Sequence, residues 1–167
     1  MLRDSRGAIV FIDWRHYLIH AGRAFSARER TTTGSILEYL IETGALELHI
    51  TPTVKASLAC PIDYLANVTV SVSGTSIPII NRNGLSKNTF ITKIYRGPTY
   101  TGGVVFLPDQ AGFGTNPGQS APGELFANIE LVIPPFSKYV MKITPSATAT
   151  LVMEAEMYEI DPAKDMV

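Results

Sequence analysis

Cysteine is nearly absent. The 167-residue chain has one, Cys60, which excludes an internal disulfide framework and any metal site built on cysteine alone. Its setting in "SLACPID", between apolar residues and a proline, reads as a buried and inert thiol. Charge is scarce as well: Lys, Arg, Asp and Glu make up 17% of the chain, against about 25% in an average soluble domain. The net charge of −1 leaves no electrostatic footprint for nucleic acid or an anionic membrane. No apolar run approaches the ~20 residues that a membrane-spanning helix needs. The run at residues 8–12 is too short for a signal-peptide core, and Asp13 ends it. Together these absences predict a soluble protein, made in a reducing cytoplasm, with a charge-poor surface suited to being covered.

Signatures of catalysis are missing too. There is no G-x-S-x-G elbow. The glycine-rich "TGGV" (residues 101–104) and "GFGTNPG" (residues 112–118) lack the strand-before, helix-after context of a phosphate loop and read as turns. His16 and His20 flank the β-like "YLI"; on a strand they would stand about 13 Å apart, too far to share one ion. Asp4, Asp13, Asp63, Asp109, Asp161 and Asp165 are scattered, and Glu154, Glu156 and Glu159 read as a solvated sheet face. The expectation is a non-enzyme with no cofactor and no metal.

What is present is β patterning. Thirteen glycines and 11 prolines punctuate the chain at intervals of roughly ten residues, as in a sandwich or barrel. In "ANVTVSVSG", Val68, Val70 and Val72 alternate with Thr69, Ser71 and Ser73; in "LELHIT", Leu46, Leu48 and Ile50 alternate with Glu47, His49 and Thr51. "FANIELVI", closed by Pro134–Pro135, "KYVMKIT" and "TATLVMEAEMYEI" add further strands. In the last, Leu151, Met153, Ala155 and Met157 share one face, which Glu159 would extend. "SILEYLIETGA" carries helix-capping residues, yet its neighbours favour a strand. The predicted fold is all-β: a two-sheet antiparallel sandwich of about eight strands, jelly-roll-like, with little or no helix. Residues 13–160 form the domain, residues 1–12 an N-terminal arm, and residues 161–167 a tail.

In "IHAGRAF", Gly22 reads as a turn or bulge with positive φ, and Arg23 as a bridge to a carboxylate or backbone carbonyls. This stretch resembles the "I-H-x-G-x-x-F" opening of the head decoration, or cement-like, proteins of tailed bacteriophages. "IETGALELHITP", "NRNGLSKNT" and "IYRGPTYTGGVVF" follow in the order that the family shows, although Gly84 stands where the family has a further arginine. The resemblance implies a structural virion protein on the outer capsid surface, bound at junctions of the major capsid protein, as a homo-oligomer or multi-copy lattice. Neither nucleic acid nor membrane is expected as a partner. Candidate partner-binding residues are Ile9, Val10, Phe11 and Ile12 of the arm, Trp14, Arg23, Arg82, and Phe113 of the long loop. The alternatives are a tail, baseplate or fibre component, or a carbohydrate-binding adhesion module.

Overall fold

A computed structural model describes residues 14–111, 124–125 and 130–161. One short helix, α1 (Trp14–His20), precedes twelve strands. These are β1 (Ala24–Thr33), β2 (Leu37–Glu42), β3 (Glu47–Ala56), β4 (Cys60–Val72), β5 (Thr75–Ser76), β6 (Ile79–Asn81), β7 (Lys93–Arg96), β8 (Thr99–Ala111), β9 (Glu124–Leu125), β10 (Leu131–Ile133), β11 (Lys138–Ile143) and β12 (Ala149–Ile160). They form two antiparallel sheets. One runs β10-β3-β12-β1-β6, with β9 also on β3; the other runs β5-β7-β2-β11-β4-β8.

The pairing is nested. Strand β1 pairs with β12, β2 with β11, β3 with β10, and β4 with β8. A long hairpin that rolls up on itself gives this order, which is the jelly roll expected from the sequence. Strands β5, β6 and β7 lie in the connection between β4 and β8 and widen both sheets.

Period-2 alternation drives the two sheets together. Along β3 every second residue is buried, from Leu48 to Ala56, and along β12 the buried set is Ala149, Leu151, Met153, Ala155, Met157 and Glu159. These face Tyr39, Ile41, Ile62, Tyr64, Ile94, Met141 and Ile143 of the other sheet in one core. Pro52 sits in a central strand without disrupting it. Its missing N–H falls between the stretches of β3 that pair with β10 (residues 48–50) and with β9 (residues 54–55). The residues of "SILEYLIETGA" form strand β2, with Tyr39, Leu40 and Ile41 all buried.

Leu40 is buried on the outer side of its sheet, and the reason lies in β4. The β4–β8 register shifts after Tyr64, Asn67 takes a positive φ of 59°, and Gly103 opposite takes 107°. This bulge re-aims the strand. Ile62 and Tyr64 enter the main core, whereas Val68, with Leu65, Val70, Tyr95 and Tyr100, joins Leu40 and Val140 in a second cluster.

Three expectations need correction. Val72 does not continue the buried face: it is 58% exposed at the end of β4. "TGGV" is no turn but lies inside β8, where Gly102 and Gly103 take positive φ opposite Val68 and Asn67 of β4. "YLI" is helical, because a helix brings Leu18 down to a fully buried position and leaves His16, Tyr17 and His20 on the opposite side. His16 and His20 therefore stand one turn apart, with their Nε2 atoms 3.0 Å from each other rather than on opposite ends of a strand.

Because Leu48 is completely buried between the sheets, Leu48→Ala is expected to cost about 2–5 kcal/mol. Thr53→Ala, on the outer face of the same strand, should stay within about 0.5 kcal/mol. Urea denaturation of the two variants checks the difference.

Candidate interaction surface

Three of the stretches singled out in the sequence meet at one end of the sandwich. Helix α1 ends in a Schellman motif: Gly22 N–H donates to Ile19 O at 3.0 Å and Arg23 N–H to Leu18 O at 2.8 Å, with Gly22 at φ +68°. The "NRNGLSKN" segment packs directly against this turn. Asn81 Nδ2 donates to Gly22 O (2.9 Å), Asn83 Nδ2 to His20 O (3.1 Å), and Asn88 Nδ2 to Ala21 O and Gly22 O (both 3.2 Å). The asparagines thus satisfy carbonyls that the end of a helix leaves without partners. A Cβ on Gly22 would lie 2.1 Å from Ser86 Oγ, so the fit requires glycine for contact as well as for φ.

Glu159 anchors the far end of the same segment. It is 7% exposed and accepts hydrogen bonds from Ile91 N–H (3.1 Å), Thr92 N–H (2.7 Å) and Thr92 Oγ1 (2.7 Å). Reading Glu159 with Glu154 and Glu156 as one solvated face was wrong. Only Glu154 and Glu156 lie on that face, where they pair with Arg28 and Lys55 and with Arg82 respectively. The "ETGALEL" stretch closes the end: Gly44 packs under Ile91, and Thr43 Oγ1 donates to Pro134 O at 2.8 Å.

The candidate residues divide. Arg23 is half-buried; it donates to Glu159 O at 3.1 Å and borders an open recess of about 410 Å³ with Leu46, Lys87 and Thr89. It bridges a backbone carbonyl as its context predicts, which makes it part of the framework. Arg82 points to the other side and pairs with Glu156 at 3.0 Å. The two arginines do not converge on a common surface. Trp14 opens α1. Ile9, Val10, Phe11, Ile12 and Phe113, the arm at residues 1–12 and the tail beyond residue 161 lie outside the described residues.

Sequence reasoning missed the exposed apolar groups. Leu85, at the tip of the asparagine segment, is 95% exposed, and Phe136 is 80% exposed at a positive φ of 54°. Among the described strands, β8 is the last in its sheet, and it exposes Val104, Val105 and Phe106 in succession. Proline at position 108 blunts the edge there, but nothing charged protects residues 99–107. The available signal was "GGVVFL": glycines that permit positive φ, followed by uncharged residues lacking alternation.

One polar cluster lies on the other sheet. The His49 ring stacks on Tyr158 with centroids 4.7 Å apart; its Nδ1 lies 2.5 Å from Glu130 Oε1 and its Nε2 3.1 Å from Glu47 Oε1. Tyr158 also donates to Glu130. Partial burial pushes the Glu130 carboxyl upward, but hydrogen bonds from Tyr158 and His49 and the charges of His49 and Arg15 outweigh it and hold the group below its ordinary value. Burial raises the Cys60 thiol, as an inert core thiol requires. Among the described residues, no group of three or more His, Cys, Asp or Glu side chains is placed to hold a metal ion. No family model, curated protein or solved structure matches this chain.

Two outcomes follow from this geometry. Glu159→Ala leaves two backbone N–H groups without their acceptor, at about 1–3 kcal/mol each; hydrogen exchange should show Ile91 and Thr92 losing protection together. Glu130 has a depressed folded value, so its contribution is present above the ordinary carboxylate value of 4.5 and disappears as pH falls through the folded one. Glu130→Gln should therefore flatten the acid limb of a stability-against-pH curve below pH 4.5 and leave its shape near neutrality unchanged.

Proposed function

We propose that this chain is a structural protein of a tailed-bacteriophage virion, a decoration protein that binds the outer capsid surface and stabilises contacts between major capsid subunits. The observation that carries this reading is the edge of β8, which no other described strand pairs on its outer side and where Val104, Val105 and Phe106 are exposed. A free edge offers backbone donors and acceptors to an added strand, and its side chains offer apolar area to the surface beneath. The order of the resembling stretches supports the same reading, as does their convergence on one end of the sandwich around Gly22, Asn88 and Glu159.

The physical basis is mass action. A protein that binds the assembled shell better than separated subunits stabilises the shell with every bound copy. Low charge suits this role, since few ions have to be desolvated at the contact.

Added to undecorated shells, the protein should raise their melting temperature and bind in numbers comparable to the shell's own subunits. Val104→Lys places a charge on an exposed position of the edge. It should leave the fold intact and remove most of the rise. An equal rise with the variant would clear β8 of the role. No rise with the wild-type chain would end the decoration reading.

A further inference from the structure

His16 and His20 are the two side chains whose geometry does chemistry that the fold does not use. We propose that they form an exposed two-nitrogen site for a divalent transition-metal cation, with Cu²⁺ and Ni²⁺ favoured over Zn²⁺. Their Nε2 atoms are 3.0 Å apart, the rings meet edge-on with centroids 4.6 Å apart, and both residues are exposed. A cation about 2.0–2.1 Å from each nitrogen would then see them at an angle of about 90°. A tetrahedral ion would need the nitrogens roughly 3.3–3.4 Å apart at the same bond lengths. The observed spacing therefore matches adjacent positions of a square-planar or octahedral ion, the geometry that copper and nickel adopt on nitrogen ligands.

The pair is held in place from below. Leu18 buries the opposite side of α1, and the Schellman turn closes the helix directly after His20. Asn83 and Asn88 fix the carbonyls of His20 and Ala21. His20 projects from the last turn of the helix, where backbone carbonyls favour a cation, and His16 stands one turn before it. One Nε2–H now donates to the other Nε2, and a cation would take that proton's place as it moves to Nδ1 or to water. The remaining coordination positions are open to water, because no third such ligand completes the group among the described residues. This site is independent of the capsid role.

Isothermal titration of the untagged full-length chain with CuCl₂, NiCl₂, ZnCl₂ and MgCl₂ tests it. One ion should bind per chain, tightest for Cu²⁺, weaker for Ni²⁺ and Zn²⁺, with no Mg²⁺ binding. His16→Ala and His20→Ala should each weaken binding at least about tenfold, and His49→Ala should leave it unchanged. Gln at either position, with circular dichroism of each variant, separates ligand loss from damage to α1. The Cu²⁺ spectrum by electron paramagnetic resonance should show coupling to imidazole nitrogens that both variants remove. Undiminished binding in H16A or H20A, loss in H49A instead, or no binding by the wild-type chain would overturn the proposal.

Discussion

The buried carboxylate of Glu159 is the contact on which one whole end of this molecule depends. It belongs to β12, the central strand of one sheet, and its oxygens accept hydrogen bonds from Ile91 and Thr92, immediately before β7 of the other sheet. After Arg82, whose N–H donates to Ala24 O of β1 at 2.9 Å, residues 83–92 belong to no strand, and side chains hold them in place. From that anchor a chain of dependence follows. The segment carries Asn83 and Asn88, the asparagines seal the end of α1, and the sealed helix seats Leu18 beside Ala24, Thr51 and Tyr158. A second glutamate does similar work elsewhere: Glu29 of β1 accepts from Tyr39 of β2 at 2.9 Å and from Arg96 of β7 at 2.7 Å. Burial first, and then Glu29, hold the Tyr39 phenol well above its ordinary value, so it remains a donor.

Polar residues thus tie the two layers together at their rims, and apolar alternation fills the space between. This division explains how a chain so poor in charge can still specify one register. Every buried side-chain nitrogen and oxygen among the described residues has a hydrogen-bond partner. A slip of one residue in β12 would expose Met153 and Met157 and bury Glu154 and Glu156.

Much of this was legible from the sequence. Alternation in β3 and β12 identifies the strands and their inner faces; in β4 it identifies the strand but not the side, since Val68 and Val70 join the outer cluster and Val72 is exposed. Nested pairing of about eight strands is what a jelly roll requires. The positive φ of Gly22 was legible as well, since no other residue suits that position. The helix was not. In a segment of seven residues, the β-like "YLI" outweighs a pattern with only one buried anchor, Leu18, and the surface that buries it comes from residues distant in sequence. Glu159 was readable as inward by its period and as outward by its type; the donors that resolve the conflict lie 67 and 68 residues away. The exposed edge of β8 was hidden for a different reason. Whether a strand is central or terminal depends on sheet order, and "VVFL" looks the same in either place.

In the function proposed, β8 is the strand that grips the shell. Hydrogen exchange of the chain, free and bound to purified shells, tests it most directly. Alternate amides of residues 99–107, those turned away from β4, should exchange rapidly in the free protein and slow markedly on the shell. A bound chain whose β8 amides exchange as fast as before, with protection appearing elsewhere, would contradict it.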